Sequence, residues 1–152
     1  KAAAALRHAP IVAAIVADEL ARGLNTEKPL REFAQRVVEA RQALRACICE
    51  IKAEGESLYG LGASTKGNVL LQYCGLTTSD IPRIGEVNRE KWGRVTPGCN
   101  IPIIAEDELL AMQPKYLLVL PWHFREFFVA SRRFSGKRLV FPLPRLEIVD
   151  VP

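Results

Sequence analysis

The 152-residue chain predicts an α/β fold in which a mainly parallel sheet is covered by helices on both faces and preceded by two N-terminal helices. Three observations carry that prediction. Up to Ile51, apolar residues recur at helical spacing. After Gly55 the period changes, and short apolar runs alternate with helical ones, as crossover connections between parallel strands require. The strongly apolar "YLLVLP" from Tyr116 suits a strand buried on both faces.

The elements follow in order. Ile11, Val12, Ile15, Val16 and Leu20 fall on helical spacing, and Gly23 and Asn25 are stop signals. A longer pattern, Leu30, Phe33, Ala34, Val37, Leu44, Cys47, Ile48 and Ile51, ends at Gly55, with Pro29 near its start, where a missing N–H does no harm. A strand at Leu58 to Gly60 leads into a helix from Lys66 to Tyr73, closed by Gly75. A strand around Ile84 to Val87, a loop, and "IPII" at Ile101 to Ile104 come next. A short helix from Glu106 to Met112, the Tyr116 strand and a helix from Trp122 to Arg133 follow. "RLVFPLP" and "LEIVD" supply the last strands. Residues 1–55 are thus expected to form a helical linking and packing segment and residues 56–152 the α/β domain.

Composition narrows the function. The chain is 49% hydrophobic and 25% charged, the profile of a globular domain, and a domain of this length buries roughly 70% of the surface its unfolded chain exposes. The net charge of +4 is spread along the sequence and interleaved with acids, and aromatics are only 7%. That favours a small anionic ligand over nucleic acid, whose binders cluster cations beside stacking rings. Cys47, Cys49, Cys74 and Cys99 form no CxxC and have no neighbouring His, so reduced thiols and no metal are expected. The apolar stretches are too short for a bilayer, and "KAAAALRHAP" lacks the core of a secretion signal, so a cytoplasmic protein without a membrane role is expected. Lys1 stands where an initiating Met would, so the chain is expected to be part of a longer polypeptide.

The stretch "GLGASTKGN" holds the main functional signal. In a strand–loop–helix unit, glycines let the backbone approach a ligand and the free N–H groups of the first helical turn attract anions. Gly60 and Gly62 fit the turn, Ser64 or Thr65 the N-cap, and Lys66 puts a cation at the helix mouth. The spacing matches neither GxxxxGK[ST] nor GxGxxG, so the pattern itself leaves open a phosphate-binding loop and a tight turn chosen for packing. Glu86 falls where doubly wound folds place a ribose-binding acid, the alternative being a solvated carboxylate at a strand end. Asn88, Lys91 and Arg94 lie on a long Gly- and Pro-punctuated loop whose cations could close over a pyrophosphate or simply be surface charge. In "LPWHFREFF", Trp122 could stack on a flat group or cap the core, and His123 could hydrogen-bond or move protons, which makes it the one catalytic candidate. His8, in the leading segment, has no assigned part.

Together these residues resemble the C-terminal domain of the S-adenosylmethionine-dependent C-methyltransferases that act on nucleotide-linked sugars. Members carry G-x-G-A-x-x-K-G-N, matched by Gly60, Gly62, Ala63, Lys66, Gly67 and Asn68. L-L-x-Y-C-G follows, as in Leu70-Leu71-Gln72-Tyr73-Cys74-Gly75. K-x-G-x-x-T-P-G-x-x-I-P-I is matched by Lys91, Gly93, Thr96, Pro97, Gly98, Ile101, Pro102 and Ile103, and L-P-W by Leu120, Pro121 and Trp122. Glu86 stands where many members have Asp, and His123 where many have Asn.

The resemblance implies a Rossmann-like, three-layer domain that holds a nucleotide-linked sugar for a methyltransferase domain upstream in the same polypeptide. That upstream domain would bind S-adenosylmethionine and supply the base, so no cofactor is expected within this chain, which alone would be inactive. On this reading Gly60, Gly62, Ala63, Ser64, Lys66, Gly67 and Asn68 receive the diphosphate. Glu86 or Asn88 lies near the ribose or base, and Lys91, Arg94, Trp122 and His123 line the cleft. Two other readings of the residues remain: a non-catalytic nucleotide-binding regulatory module, and a purely structural or dimerising domain whose loop binds nothing.

Overall fold

The computed structural model describes residues 2–152, with side chains from His8 onward; Lys1, the residue from which the longer polypeptide is expected, lies outside them. The chain divides into two compact units, residues 1–39 and 40–152. No helix among the described residues is long and apolar enough to cross a membrane.

The first unit holds helix α1 (Ala2–Ala21) and the start of α2 (Glu27–Ala53). α1 begins well before the apolar periodicity that predicts it and runs through Pro10. Its leading residues are mostly alanine, the strongest helix former, which leaves no stripe for a periodicity argument to find. The expected stop at Gly23 is present, with its N–H donating to the Leu20 carbonyl at 3.0 Å and Leu24 N–H to Glu19 at 2.9 Å. Exposed i,i+4 pairs, Asp18 with Arg22 and Glu27 with Arg31, line the unit, while Ile11, Val12, Ile15, Leu30 and Phe33 remain exposed.

The second unit is built on six strands: β1 (Leu58–Leu61), β2 (Ile84–Glu86), β3 (Ile103–Ala105), β4 (Tyr116–Val119), β5 (Arg138–Phe141) and β6 (Glu147–Asp150). Their order is β3-β2-β1-β4-β5-β6, all neighbours parallel except the antiparallel β5–β6 pair. Successive side chains of a strand point to opposite faces, and the sequence fills both. Tyr116, Leu118 and Val140 join the rear of α2 and helix α3 (Thr65–Cys74) on one side. Leu117, Val119, Leu139 and Phe141 join Leu109 of α4 (Glu106–Ala111) and Phe128 of α5 (Arg125–Ala130) on the other. This is the three-layer arrangement the alternating pattern predicts.

The packing of α2 follows from its spacing, because Leu44, Cys47, Ile48 and Ile51 form one buried stripe. Each buried Leu or Ile contributes roughly 1.5–3 kcal/mol. Arg45 adds a specific tie by donating to the Cys74 carbonyl at 2.8 Å, where the last turn of α3 leaves acceptors free. Lys52 pairs with Asp80 at 2.7 Å. Cys47 and Cys74 both lie in the resulting apolar cluster.

Within the second unit, two elements differ most from the sequence prediction. β3 starts at Ile103 because Pro102 has no N–H for the ladder; Pro102 instead faces Val95 in an isolated antiparallel bridge that folds the preceding loop back on itself. The helix expected from Trp122 to Arg133 is three pieces: 3-10 turns at Trp122–Phe124 and Arg132–Phe134 flank α5, and Ser131 is extended at φ −81°, ψ 115°. No side chain caps α5 at its start, and its Phe-Phe-Val run is a weak helix former.

Candidate functional site

The strand order reverses at β1, so the carboxyl ends of β1 and β4 open a crevice, the usual ligand position in doubly wound sheets. β1 runs into it and stops at Gly62, whose φ of +78° suits glycine. Ser64 then caps α3, its Oγ accepting the Gly67 N–H at 3.0 Å. Gly67 is required by contact rather than by torsion, because a Cβ there would stand 2.5 Å from Leu120 Cβ. Gly60 lies within β1 and packs on Ile84. The first two N–H groups of α3, on Thr65 and Lys66, find no acceptor among the described residues, and the Lys66 side chain is exposed beside them.

Glu86, at the end of β2, turns toward this loop and is only 6% exposed, so it is not a solvated carboxylate. Its Oε2 accepts the Ala63 N–H at 2.9 Å and Lys91 Nζ at 3.2 Å, and its Oε1 accepts the Asn88 N–H at 2.9 Å. Burial pushes this carboxyl up, but the bonds from Asn88, Lys91 and Ala63 outweigh it and hold it below the ordinary glutamate value. Lys91 is equally committed, donating also to the Ala63 carbonyl at 2.9 Å. A 3-10 turn, Arg89–Lys91, capped by the Asn88 side chain on Glu90 N–H, brings it back across five residues. Trp92 Nε1 locks the turn onto the Glu86 carbonyl at 2.7 Å.

Two cavities flank the braced loop. One, of about 430 Å³, is lined by Ser64, Thr65, Asn68, Lys91, Arg94 and Thr96 among others, with no acidic side chain. Asn68 is in its wall, and its Oδ1 is buried without a hydrogen-bond partner among the described residues. Arg94 is exposed, its Nε donating to the Glu90 carbonyl at 2.7 Å. The other cavity, of about 540 Å³, has Glu86, Lys91, Glu106 and Arg133 in its wall together with four phenylalanines.

The structure therefore brings together Gly62, Ala63, Ser64, Gly67, Asn68, Glu86, Lys91 and, across the smaller cavity, Arg94, while the exposed Lys66 side chain is in the wall of neither cavity. Trp122 is half-buried and packs on both apolar clusters. His123 is exposed, its ring 4.3 Å from that of Phe124, with no hydrogen-bond partner among the described residues. Sequence reasoning gave Thr96 as a motif match without a role; it is 3% exposed and holds the loop by accepting the Ile101 N–H at 3.0 Å. It missed Glu106, Arg133 and the phenylalanines; the aromatic run of "FREFFVASRRF" is the signal that could have found the last.

Comparison with known proteins agrees with this architecture. The C-methyltransferase C-terminal domain family matches residues 1–144. The C-methyltransferase NovU of Streptomyces niveus is 32% identical over 144 residues, covering 93% of this chain and 34% of that protein. The chain belongs to the C-methyltransferase C-terminal domain family, and spans about a third of the length of that relative.

Proposed function

We propose that this domain holds the diphosphate of a nucleotide-linked sugar while a methyltransferase domain upstream in the same polypeptide, carrying S-adenosylmethionine, methylates a sugar carbon. The observation that carries the reading is the open mouth of α3: two backbone N–H groups without an acceptor among the described residues, one on Thr65 in the wall of an acid-free cavity and one on Lys66, whose side chain is exposed. The family and its relative, named as C-methyltransferases, support the chemistry.

The domain's contribution is remote binding. Contacts to the diphosphate, far from the reacting carbon, fix the sugar's orientation toward the methyl donor and so reduce the entropy lost in reaching the transition state. Ser64 and Gly62 shape the anion's seat, and Asn68 and Arg94 stand in the wall of the smaller cavity. The glycine loop itself is braced, since Glu86 and Lys91 clamp Ala63 on both its N–H and its carbonyl. The helical residues 1–55 link and pack, and the enzyme works in the cytoplasm.

Calorimetric titration of the chain with thymidine diphosphate tests the reading. Lys66→Ala is expected to weaken binding by about 1.5 kcal/mol, roughly tenfold, the low end for a charged hydrogen bond because the side chain is exposed. The remaining affinity should be less salt-sensitive. Unchanged affinity removes Lys66 from the site, and no binding of any nucleoside diphosphate or pyrophosphate overturns the reading.

A further inference from the structure

The larger cavity is built unlike its neighbour. Phe128 and Phe134, 7% and 2% exposed, form its floor with ring centroids 5.6 Å apart. Phe127 stands edge-on to Phe128 at 5.4 Å, and both it and Phe124 are exposed, at 68% and 57%. Core packing explains the first two rings; the second two touch one ring each, Phe128 for Phe127 and His123 for Phe124, and keep most of their surface open. Apolar side chains grouped at a concave site, rather than scattered singly over a surface, mark binding positions.

The charges in the wall cancel. Glu86 pairs with Lys91, and Glu106 pairs with Arg133, so an anion gains little there compared with the acid-free cavity next door. Ser64 and Lys91 line both cavities, which therefore lie on either side of these two side chains, beside the mouth of α3. A ligand anchored there by phosphate can reach into the aromatic cavity with whatever neutral group it carries. That group must offer flat apolar faces to the rings and few hydrogen bonds at its edge, for which Ser131 and Glu106 are at hand. A sugar, ringed by hydroxyls, would leave most of them unpaired; a nucleobase would not.

We propose that the cavity walled by Phe124, Phe127, Phe128 and Phe134 seats the nucleobase of the ligand, on the opposite side of Ser64 and Lys91 from the acid-free cavity. The proposal rests on the diphosphate reading above and extends it, because it assigns the base to aromatic stacking and leaves the sugar on the side of Asn68 and Arg94.

The test uses the 152-residue chain with three probes, inorganic pyrophosphate, thymidine diphosphate and thymidine 5′-diphosphoglucose, and the variants Phe127→Ala and Phe124→Ala, whose exposed rings can be removed without opening the core. Base–aromatic stacking predicts that Phe127→Ala weakens thymidine diphosphate roughly tenfold. Pyrophosphate affinity is expected to be unchanged. Nuclear Overhauser effects should connect the thymine methyl to phenylalanine ring protons. If both variants bind thymidine diphosphate as the parent does and no such effect is seen, while Lys66→Ala still weakens pyrophosphate, the base lies elsewhere and the diphosphate reading survives. Effects from the glucose protons to the phenylalanines in place of the thymine likewise overturn the proposal. Failure of all three probes to bind removes both readings together.

Discussion

Replacing Gly67 with Ala is expected to destabilise the second unit by about 3 kcal/mol, the upper end for inserting one methyl into a packed site. The new Cβ would stand 2.5 Å from Leu120 Cβ, 3.2 Å from Leu120 Cγ and 2.9 Å from Ser64 Oγ. Leu120 cannot rotate its Cβ away, since that atom is fixed by the backbone at the end of β4, where its own N–H donates to the Leu61 carbonyl at 3.0 Å. Relief must come from α3, which would lift off the sheet and strain its Ser64 cap. Chemical denaturation should therefore show a lower midpoint with little change in slope, and pyrophosphate binding should fall with it. A loss below about 0.5 kcal/mol would mean that α3 lies further from β4 than described.

Glu86→Gln is expected to lose about 2 kcal/mol, because a neutral amide cannot accept from Ala63, Asn88 and Lys91 at once and turns its own N–H groups toward donors. The native carboxyl is depressed below its ordinary value of 4.5, so its stabilising effect is complete above that pH and fades as the pH falls through the lower folded value. The gap between parent and variant should accordingly be constant near neutrality and close under acid conditions. A gap that persists at pH 3 would show that the bonds to Glu86 do not depend on its charge. A double-mutant cycle with Lys91→Met should show coupling, since the two side chains share Ala63.

Much of the fold was legible because the apolar spacing had one interpretation. The stripe of Leu44, Cys47, Ile48 and Ile51 could only be a helix face, and Tyr116 to Leu120 could only be a strand covered on both sides. In the glycine loop, Gly62 was readable as turn and Ser64 or Thr65 as cap because those functions depend on neighbouring residues; the cap is Ser64, and Gly60, also read as turn, lies within β1. Glu86 was not readable in the same way. A carboxylate at a strand end looks identical whether it meets water, a ribose or backbone N–H groups, and here the deciding partner is Lys91, returned by a 3-10 turn. The phenylalanines show the same limit: Phe127 and Phe128 are adjacent and chemically equal, yet one is exposed and the other buried. Their sorting is set by the break at Ser131 and the packing of Phe134, which are tertiary facts.

The cysteines give the second unit a built-in clock. Cys49 faces solvent, whereas burial raises the thiols of Cys47 and Cys74, which sit on α2 and α3 within one apolar cluster. An alkylating reagent reacts with thiolate and needs access, so it should tag Cys49 at once and wait at the other two for a local opening. The lag before Cys74 is tagged would then report how often the layer beneath the glycine loop parts from α2, and a ligand seated at the mouth of α3 should lengthen that lag.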